Sequence, residues 1–231
     1  MPRPRTHDPD IVLDAAESLA VRSGPAAVTI RAVAAATGVS NGAIYHTFGS
    51  RAELLGRSWL RAAGRFLRMQ TELVEAHLAV NDGAPCSSEV IAAVVAAAET
   101  PVEFARRYPD SSKLLLTVSR GELLGDELPE QVAAELAGTD DALVGLIIRL
   151  SRALWGRGDA AAVDVITTCI VDLPTGILLR RDRIAKPIAR EHLRAAVRAV
   201  LAVGPPDRHR SKEHHEHPDL PRKDRSPGPR R

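Results

Sequence analysis

The side chains best suited to chemistry in this chain lie between positions 29 and 51 and are small, polar or cationic. Hydroxyl, amide, imidazole and guanidinium groups can donate hydrogen bonds to phosphate oxygens and to the edges of nucleic-acid bases. The glycine and alanine among them would let the backbone approach the floor of a groove. The candidate contact residues are Thr29, Arg31, Ser40, Asn41, Gly42, Ala43, Tyr45, His46 and Arg51.

Two short helices joined by a tight turn are predicted to position these side chains. Gly38 can end the first helix in the left-handed conformation, and Val39 can fill the corner between the helices. Ser40 can cap the second helix, on which Ile44 and Phe48 would point inward and the candidate contact residues outward. Such a pair forms a helix-turn-helix, whose second helix enters the major groove of DNA.

Capping signals also mark the helices on either side of this motif. Asp8 should cap a first helix that ends near Arg22. Ser50 followed by Glu53 predicts a capping box, from which a long fourth helix would extend to about residue 80. The apolar stripe predicted for the first helix consists of Ile11, Val12, Ala15, Ala16, Leu19 and Ala20.

Composition indicates an all-α fold. Aromatic residues make up only 3% of the chain, alanine is abundant, and no region alternates apolar and polar residues as strands do. We predict a three-helix DNA-binding domain over residues 1–60, a larger helical domain over 61–203, and a disordered mixed-charge tail over 204–231. In the second domain, helices are predicted at about 87–99, 101–107, 109–119, 129–137, 140–156, 159–181 and 186–202, with a kink at Pro174.

The distribution of charge separates the ends of the chain from its middle. The net charge is +2, made up of +3 over residues 1–65, −4 over 66–203 and +3 over 204–231. A basic N-terminal part on an acidic body suits a protein whose N-terminal part alone meets phosphate.

The helix-turn-helix region resembles the tetracycline-repressor (TetR) family of transcriptional regulators. The resemblance is close from about Ile11 to Leu60 and extends beyond that only to the architecture. Arginine at position 51, where the family more often has lysine, keeps the positive charge, whereas Thr37 and Asn41 depart from frequent family residues. The residues that carry the resemblance are Thr29, Arg31, Gly38, Val39, Ser40, Gly42, Tyr45, Phe48, Ser50, Arg51, Leu54 and Leu55.

Three of the candidate contact residues are predicted to meet base edges. Arg31 matches a family DNA-contact position and would make a bidentate contact with guanine. Asn41 would contact a base edge, adenine being the usual partner of an amide, and Ala43 could touch a thymine methyl group. These contacts would carry the sequence preference.

The remaining polar candidates are predicted to act at or near the phosphates. Thr29 lies at the start of its helix, where the free amides could bind phosphate or be capped by the Thr29 hydroxyl. Arg51 would supply positive charge to a phosphate contact. Tyr45 matches a family phosphate contact, and His46 on the same face can reach a phosphate or a base. Such contacts would orient the protein without reading sequence.

The last two predicted helices, near 159–181 and 186–202, carry long apolar faces. These faces could pack on their own subunit. The resemblance implies instead that they pair with the same two helices of a second chain in a four-helix interface. A motif that reads half a site per chain also favours a two-fold homodimer.

The resemblance implies that the second domain binds a small molecule and that binding re-angles the two DNA-binding domains, with repression as the usual mode. The ligand can release DNA only as far as it prefers the released conformation. Few charged candidates are available, so we predict an apolar or amphipathic effector. The candidate lining residues, each of which can also be plain core, are Trp59, Phe66, Met69, His77, Phe104, Tyr108, Leu115, Arg149 and Trp155.

Other functions stay open as alternatives. No nucleophile–base pair or ligand cluster is spaced for catalysis before the tail, so we predict neither an enzyme nor a cofactor. A helical interaction module would explain the body but not the small, polar face of the second motif helix. Cys169 is predicted to be a core residue. A redox-responsive regulator would use Cys86, and a metal-responsive one the tail histidines His209, His214, His215 and His217.

The location of the protein is predicted from its apolar runs. The longest run, Val90–Ala98, is too short to span a bilayer. The first helix contains Asp14 and Glu17, which a signal-peptide core would not tolerate. We therefore expect a cytoplasmic protein whose partners are double-stranded DNA, a second copy of itself and a small molecule, with no membrane contact.

Overall fold

The computed structural model describes residues 8–79, 87–117 and 129–207, and within these ranges the protein is helical with no strand. This confirms the all-α prediction. The helices are α1 (Pro9–Ser23), α2 (Ile30–Thr37), α3 (Asn41–Phe48), α4 (Arg51–Leu78), α5 (Ser88–Arg107), α6 (Pro109–Thr117), α7 (Glu130–Trp155), α8 (Ala160–Leu179) and α9 (Pro187–Val203).

The turn between α2 and α3 forms as the sequence predicts. Gly38 follows α2 with φ 72°, a left-handed conformation that favours glycine. The Thr29 hydroxyl accepts a hydrogen bond from the backbone N–H of Ala32 over 3.0 Å and caps α2. The Ser40 hydroxyl accepts one from Ala43 over 3.2 Å and caps α3, while Val39 is buried in the corner.

Two details of the flanking helices differ from prediction. Only half of the capping box forms: the Ser50 hydroxyl accepts from the Glu53 N–H over 3.0 Å. The Ser50 N–H donates to the carbonyl oxygen of Phe48, so the Glu53 carboxylate is left to pair with Arg57. The stripe on α1 is also rotated, because Ile11 is 52% exposed whereas Glu17, which is not part of the predicted stripe, is buried.

Helix α5 continues through Pro101, so the predicted break after residue 99 is wrong. Proline has no N–H, and the carbonyl oxygen of Ala97 one turn earlier therefore loses its usual helical donor. The side-chain amide of Gln70 on α4 replaces that donor, at 3.0 Å from the Ala97 oxygen. A buried hydrogen bond between α4 and α5 thus replaces the lost backbone hydrogen bond.

Helices α7 and α8 also differ from the predicted pattern. The predicted break near residue 138 is absent, and α7 runs unbroken through Gly138. In α8, where a kink is predicted at Pro174, the proline lies between two π-helical segments, Thr168–Asp172 and Thr175–Leu179. A π-helical segment bonds each N–H to the carbonyl five residues back, so the helix continues past a residue that has no N–H.

Two hydrophobic cores hold these helices together. The first is built mainly from α1 to α4, but Leu114 from α6 and Val132 and Leu136 from α7 are part of it. A Cβ atom added at Gly56 would lie 2.5 Å from a Val132 methyl group, so glycine permits the close approach of α7 to α4. The domain boundary predicted near residue 60 falls inside α4, and the packing continues across it.

Helix α8 is a described segment long and apolar enough to cross a membrane by length and composition alone. Only 33% of its most apolar stretch is buried within this chain. Asp164 and Asp172 are exposed along it, and a carboxylate is costly inside a bilayer. A bilayer is therefore a poor environment for α8, whose apolar side chains are mostly half-buried within this chain.

Candidate nucleic-acid interface

The outward face of α3 is polar and small, and its inward face is firmly anchored. Ile44 and Phe48 are 1% and 2% exposed in the first core. Tyr45 is 54% exposed, and Asn41 and His46 are exposed beside it. Ala43, which was predicted to face outward, is half-buried against the core. The α3 backbone is thus held rigidly while three polar side chains remain available to a partner.

Gly42 lies on this face without any internal reason to be glycine. A Cβ atom added there would meet nothing within 4 Å, and its φ is not in the left-handed region. Glycine in a helix costs about 0.5–1 kcal/mol relative to alanine. The absence of a side chain at Gly42 relieves no close contact within this chain. The open space at Gly42 would therefore serve the close approach of a binding partner.

The two arginines beside α3 differ in how they are held. Arg31 is exposed on α2. Arg51 at the start of α4 donates from Nε to the carbonyl oxygen of Val28 and from a terminal nitrogen to that of Pro25, each over 2.6 Å. Arg51 therefore fastens the segment before α2 to α4, and its exposed positive charge stays beside that junction.

A buried carboxylate fastens α1 to the rest of the protein. Glu17 on α1 is 2% exposed and accepts hydrogen bonds from Arg61 on α4, at 2.6 and 2.9 Å. Ser111 on α6 donates to its other oxygen over 2.6 Å. Arg61 also binds Asp10 and Asp14, at 2.9 and 2.7 Å. We call Glu17, Arg61 and Ser111 the Glu17 cluster, and it links three helices.

The Glu17 cluster favours the charged form of Arg61. Burial lowers the pKa of Arg61, but the hydrogen bond and charge of Glu17 outweigh it and leave the pKa above its ordinary value. Sequence reasoning missed Glu17 because a carboxylate on an amphipathic helix is normally solvated. The available signal was its spacing: it lies one turn after Leu13, on the buried side of α1.

Comparison with known proteins identifies the N-terminal domain. Residues 12–57 match the model of the bacterial regulatory proteins of the tetR family, and these residues include the whole turn between α2 and α3. Over these residues the chain is similar to the DNA-binding domain of TetR-family regulators. The match agrees with the helix-turn-helix that α2 and α3 form.

Solved structures of TetR-family regulators share the fold over most of the chain. A TetR-like transcriptional regulator from Rhodococcus sp. RHA1 is 18% identical, with a TM-score of 0.58 and coverage of 87% of this chain and 99% of that one. A TetR-family regulator from Streptomyces coelicolor is 21% identical, with a TM-score of 0.54 and coverage of 85% and 98%. A Rhodococcus sp. RHA1 protein of unknown function is 19% identical, with a TM-score of 0.63 and coverage of 89% and 100%.

These similarities in structure indicate the fold of the TetR-family body and nothing finer. No curated protein matches the sequence. The contacts of individual residues with DNA and ligand therefore stay predictions.

The predicted ligand residues of this protein are dispersed. Trp59 and Leu115 pack in the first core. Phe66 and Tyr108 both pack against the buried ring of Phe104, with centroids 5.3 and 5.6 Å away. These five side chains thus lie among packed neighbours around α4, α5 and α6.

The other four predicted ligand residues do not share one site. Met69 and His77 line a cavity of about 400 Å³ between α4, α5 and α9. Arg149 on α7 pairs with Glu75 on α4, and Trp155 lines a separate groove near the end of α9. Met69 and His77 therefore share a cavity of ligand size.

The residues of the metal and redox alternatives fall partly outside the described ranges. Cys86 and the tail histidines lie there. Cys169 is buried in the second core, which confirms it as a core residue, and burial raises its pKa to about 12. A thiol in that state is a poor nucleophile. Among residues 8–79, 87–117 and 129–207, no three metal-ligating side chains are grouped to hold an ion.

A prediction follows for Gly42. We expect Gly42→Ala to leave the stability unchanged or to raise it by up to about 1 kcal/mol. In DNA binding the added methyl group should weaken affinity by about tenfold, the worth of one good groove contact. Thermal unfolding and fluorescence anisotropy with duplex DNA would measure the two effects. Gly64→Ala on α4, where a Cβ also meets nothing within 4 Å, is the matched control and should change only stability.

Proposed function

We propose that the protein is a homodimeric repressor that binds a palindromic operator and is released from it by a small molecule. The observation that carries this proposal is the outward face of α3, where Asn41, Tyr45 and His46 are exposed around the empty space at Gly42. A merely structural helix would usually present long charged side chains to water. This face instead combines hydrogen-bonding groups with room for close approach.

The surface of α9 supports the homodimer. Its buried side packs on α5 and α8, whereas its opposite side presents exposed Ile188, His192, Ala195, Ala199 and Ala202 at helical spacing. Small side chains let two helices approach closely, and α8, whose apolar side chains are mostly half-buried, packs against α9. A two-fold pairing through α8 and α9 would cover both surfaces and present two α3 helices to a two-fold site.

Release by a small molecule is supported by how the DNA-binding domain is attached. The Glu17 cluster and the shared first core couple α1 directly to α4, α6 and α7. A ligand that preferred a different arrangement of these helices would thus move α1 and the motif with them. The direction of control, repression, is the part of the proposal that rests on the family alone.

Binding to DNA upstream of the protein's own gene is the primary test. Fluorescence anisotropy would be measured at several salt concentrations, with random duplex as competitor. We expect competitor-resistant binding to a palindromic site, with a stoichiometry of two chains per site. Absence of binding to any DNA, even at low salt, would contradict the proposal.

The two arginines should give different phenotypes. Arg31→Ala should relax the preference at one position of each half-site, at a cost of about 1–3 kcal/mol. Arg51→Ala should weaken binding to all sequences and reduce the salt dependence by about one ion per subunit. Because Arg51 also holds the Pro25 and Val28 carbonyls, Arg51→Lys is the control that retains the charge. If Arg31→Ala and Arg51→Ala changed sequence preference and salt dependence in the same way, the proposed roles would be refuted. Those roles are a base contact for Arg31 and a phosphate contact for Arg51.

A further inference from the structure

A second cavity adjoins the one that Met69 and His77 line and shares Glu103, Arg106 and Arg190 with it, but none of the predicted ligand residues lines the second cavity. It has a volume of about 420 Å³ and lies between the C-terminal half of α5 and the turn that joins α8 to α9. Its apolar wall consists of Val102, Ala105, Ile184, Ala185 and Pro187. Small-molecule sites commonly have volumes of about 300–1,000 Å³ and mostly apolar walls, so this cavity is of ligand size. We call it the α5–α9 cleft.

The charged residues of the α5–α9 cleft are predominantly cationic. Arg106, Lys186 and Arg190 line it, against the single carboxylate of Glu103. Arg190 and Arg106 share Glu103, at 3.2 and 3.1 Å. The cleft therefore has an excess of two positive charges above an apolar wall.

The ion pairs behind the cleft do not remove this excess. Arg190 also binds Glu99, which is 7% exposed, over 2.6 Å. Arg194 reaches the same Glu99 oxygen over 2.6 Å, so Glu99 is matched by a further cation. Arg106, Lys186, Arg190 and Arg194 together carry four positive charges. The carboxylates of Glu99 and Glu103 carry two negative charges, so the net excess is again two positive charges. An anion entering the cleft would thus meet uncompensated positive charge.

We propose that the α5–α9 cleft binds a small amphipathic anion, an organic acid with an apolar body. Its carboxylate would lie near Lys186, Arg106 and Arg190, and its apolar part against Val102 and Ile184. Such a ligand would serve as the effector of the proposed regulator, and in that respect the inference rests on the proposed function. Contact with both α5 and the start of α9 would couple occupancy to the proposed dimer interface.

Decanoate is the probe, titrated by calorimetry into the full chain without DNA and below its micelle concentration. Decan-1-ol keeps the apolar chain without charge, acetate keeps the charge without the chain, and decylammonium reverses the charge. We expect one decanoate per chain, with each control at least about tenfold weaker. Equal binding of decan-1-ol or decylammonium would overturn the proposal. So would cosedimentation with phosphatidylglycerol vesicles in place of one-to-one binding.

Variants locate the binding. Lys186→Glu reverses an exposed charge at the cleft and should weaken decanoate binding by about tenfold. Lys113→Glu makes the same change on α6, outside the cleft, and should leave binding within about twofold. Ala105→Leu should weaken binding by filling the apolar wall without altering charge. Unchanged affinity in both cleft variants would place decanoate elsewhere and refute the proposal.

DNA binding is measured on the same samples by anisotropy, with and without decanoate. DNA binding without decanoate binding would contradict the α5–α9 cleft alone, whereas decanoate binding without DNA binding would contradict the proposed regulator alone. Decanoate binding that leaves DNA affinity unchanged would overturn its role as effector.

Discussion

Arg61→Ala should lower the free energy of unfolding by about 3–5 kcal/mol, because it leaves the buried carboxylate of Glu17 without its main partner. The two side chains are joined at 2.6 and 2.9 Å, and Glu17 is 2% exposed. Arg65 lies 3.9 Å away, too far for a hydrogen bond, and cannot fully replace the lost pair. Urea denaturation at one fixed protein concentration would measure the loss.

The matched control for this prediction is one turn earlier on the same helix. Arg57 pairs with Glu53 over 3.2 Å, with both side chains part-exposed, so Arg57→Ala should cost no more than about 1 kcal/mol. The double variant Glu17→Leu/Arg61→Met removes both charges and should recover most of the stability. Equal losses for Arg57→Ala and Arg61→Ala would mean that the Glu17 cluster contributes no more than a surface ion pair.

Ala199→Arg should convert the proposed dimer to a monomer and weaken operator binding by at least about 100-fold. The substitution places a bulky cation in the middle of the exposed small-residue stripe of α9, where a partner helix would pack. A monomer loses the second half-site contact, and linked binding of two sites is commonly worth a factor of about 10²–10⁴. Analytical ultracentrifugation and operator anisotropy would be measured on the same preparation.

Ala142→Arg provides the control for Ala199→Arg. Ala142 is also an exposed alanine within a long helix, α7, but it is not part of the α9 stripe. The Ala142→Arg variant should remain dimeric and keep its affinity for the operator. A dimeric, tightly binding Ala199→Arg protein would show that α9 does not form the interface.

The helix-turn-helix could be predicted closely because its signals are local. Gly38, Ser40 and Thr29 act through backbone groups no more than four residues away, and each behaves as its type predicts. The inward side of α3 is likewise decided by residues on the same helix. Local hydrogen bonds and helical spacing are therefore sufficient to predict this motif.

The remaining features depend on partners that are distant in sequence. Pro101 normally predicts a helix break, but Gln70, on another helix, supplies the donor that the proline lacks. Glu17 is buried only because Arg61 and Ser111 come from two other helices. The α5–α9 cleft likewise joins residues 102–106 to residues 184–190, and no periodicity within either segment predicts that they meet.

The core that α1 to α4 share with Leu114, Val132 and Leu136 has a consequence for protein engineering. A chimera that exchanged only residues 1–60 with another regulator would leave those three apolar side chains facing an unfamiliar surface. Val132 would also need a glycine opposite it, because a Cβ at position 56 comes within 2.5 Å of its methyl group. A DNA-binding domain transferred from this protein to another therefore has to include α6 and the first turns of α7.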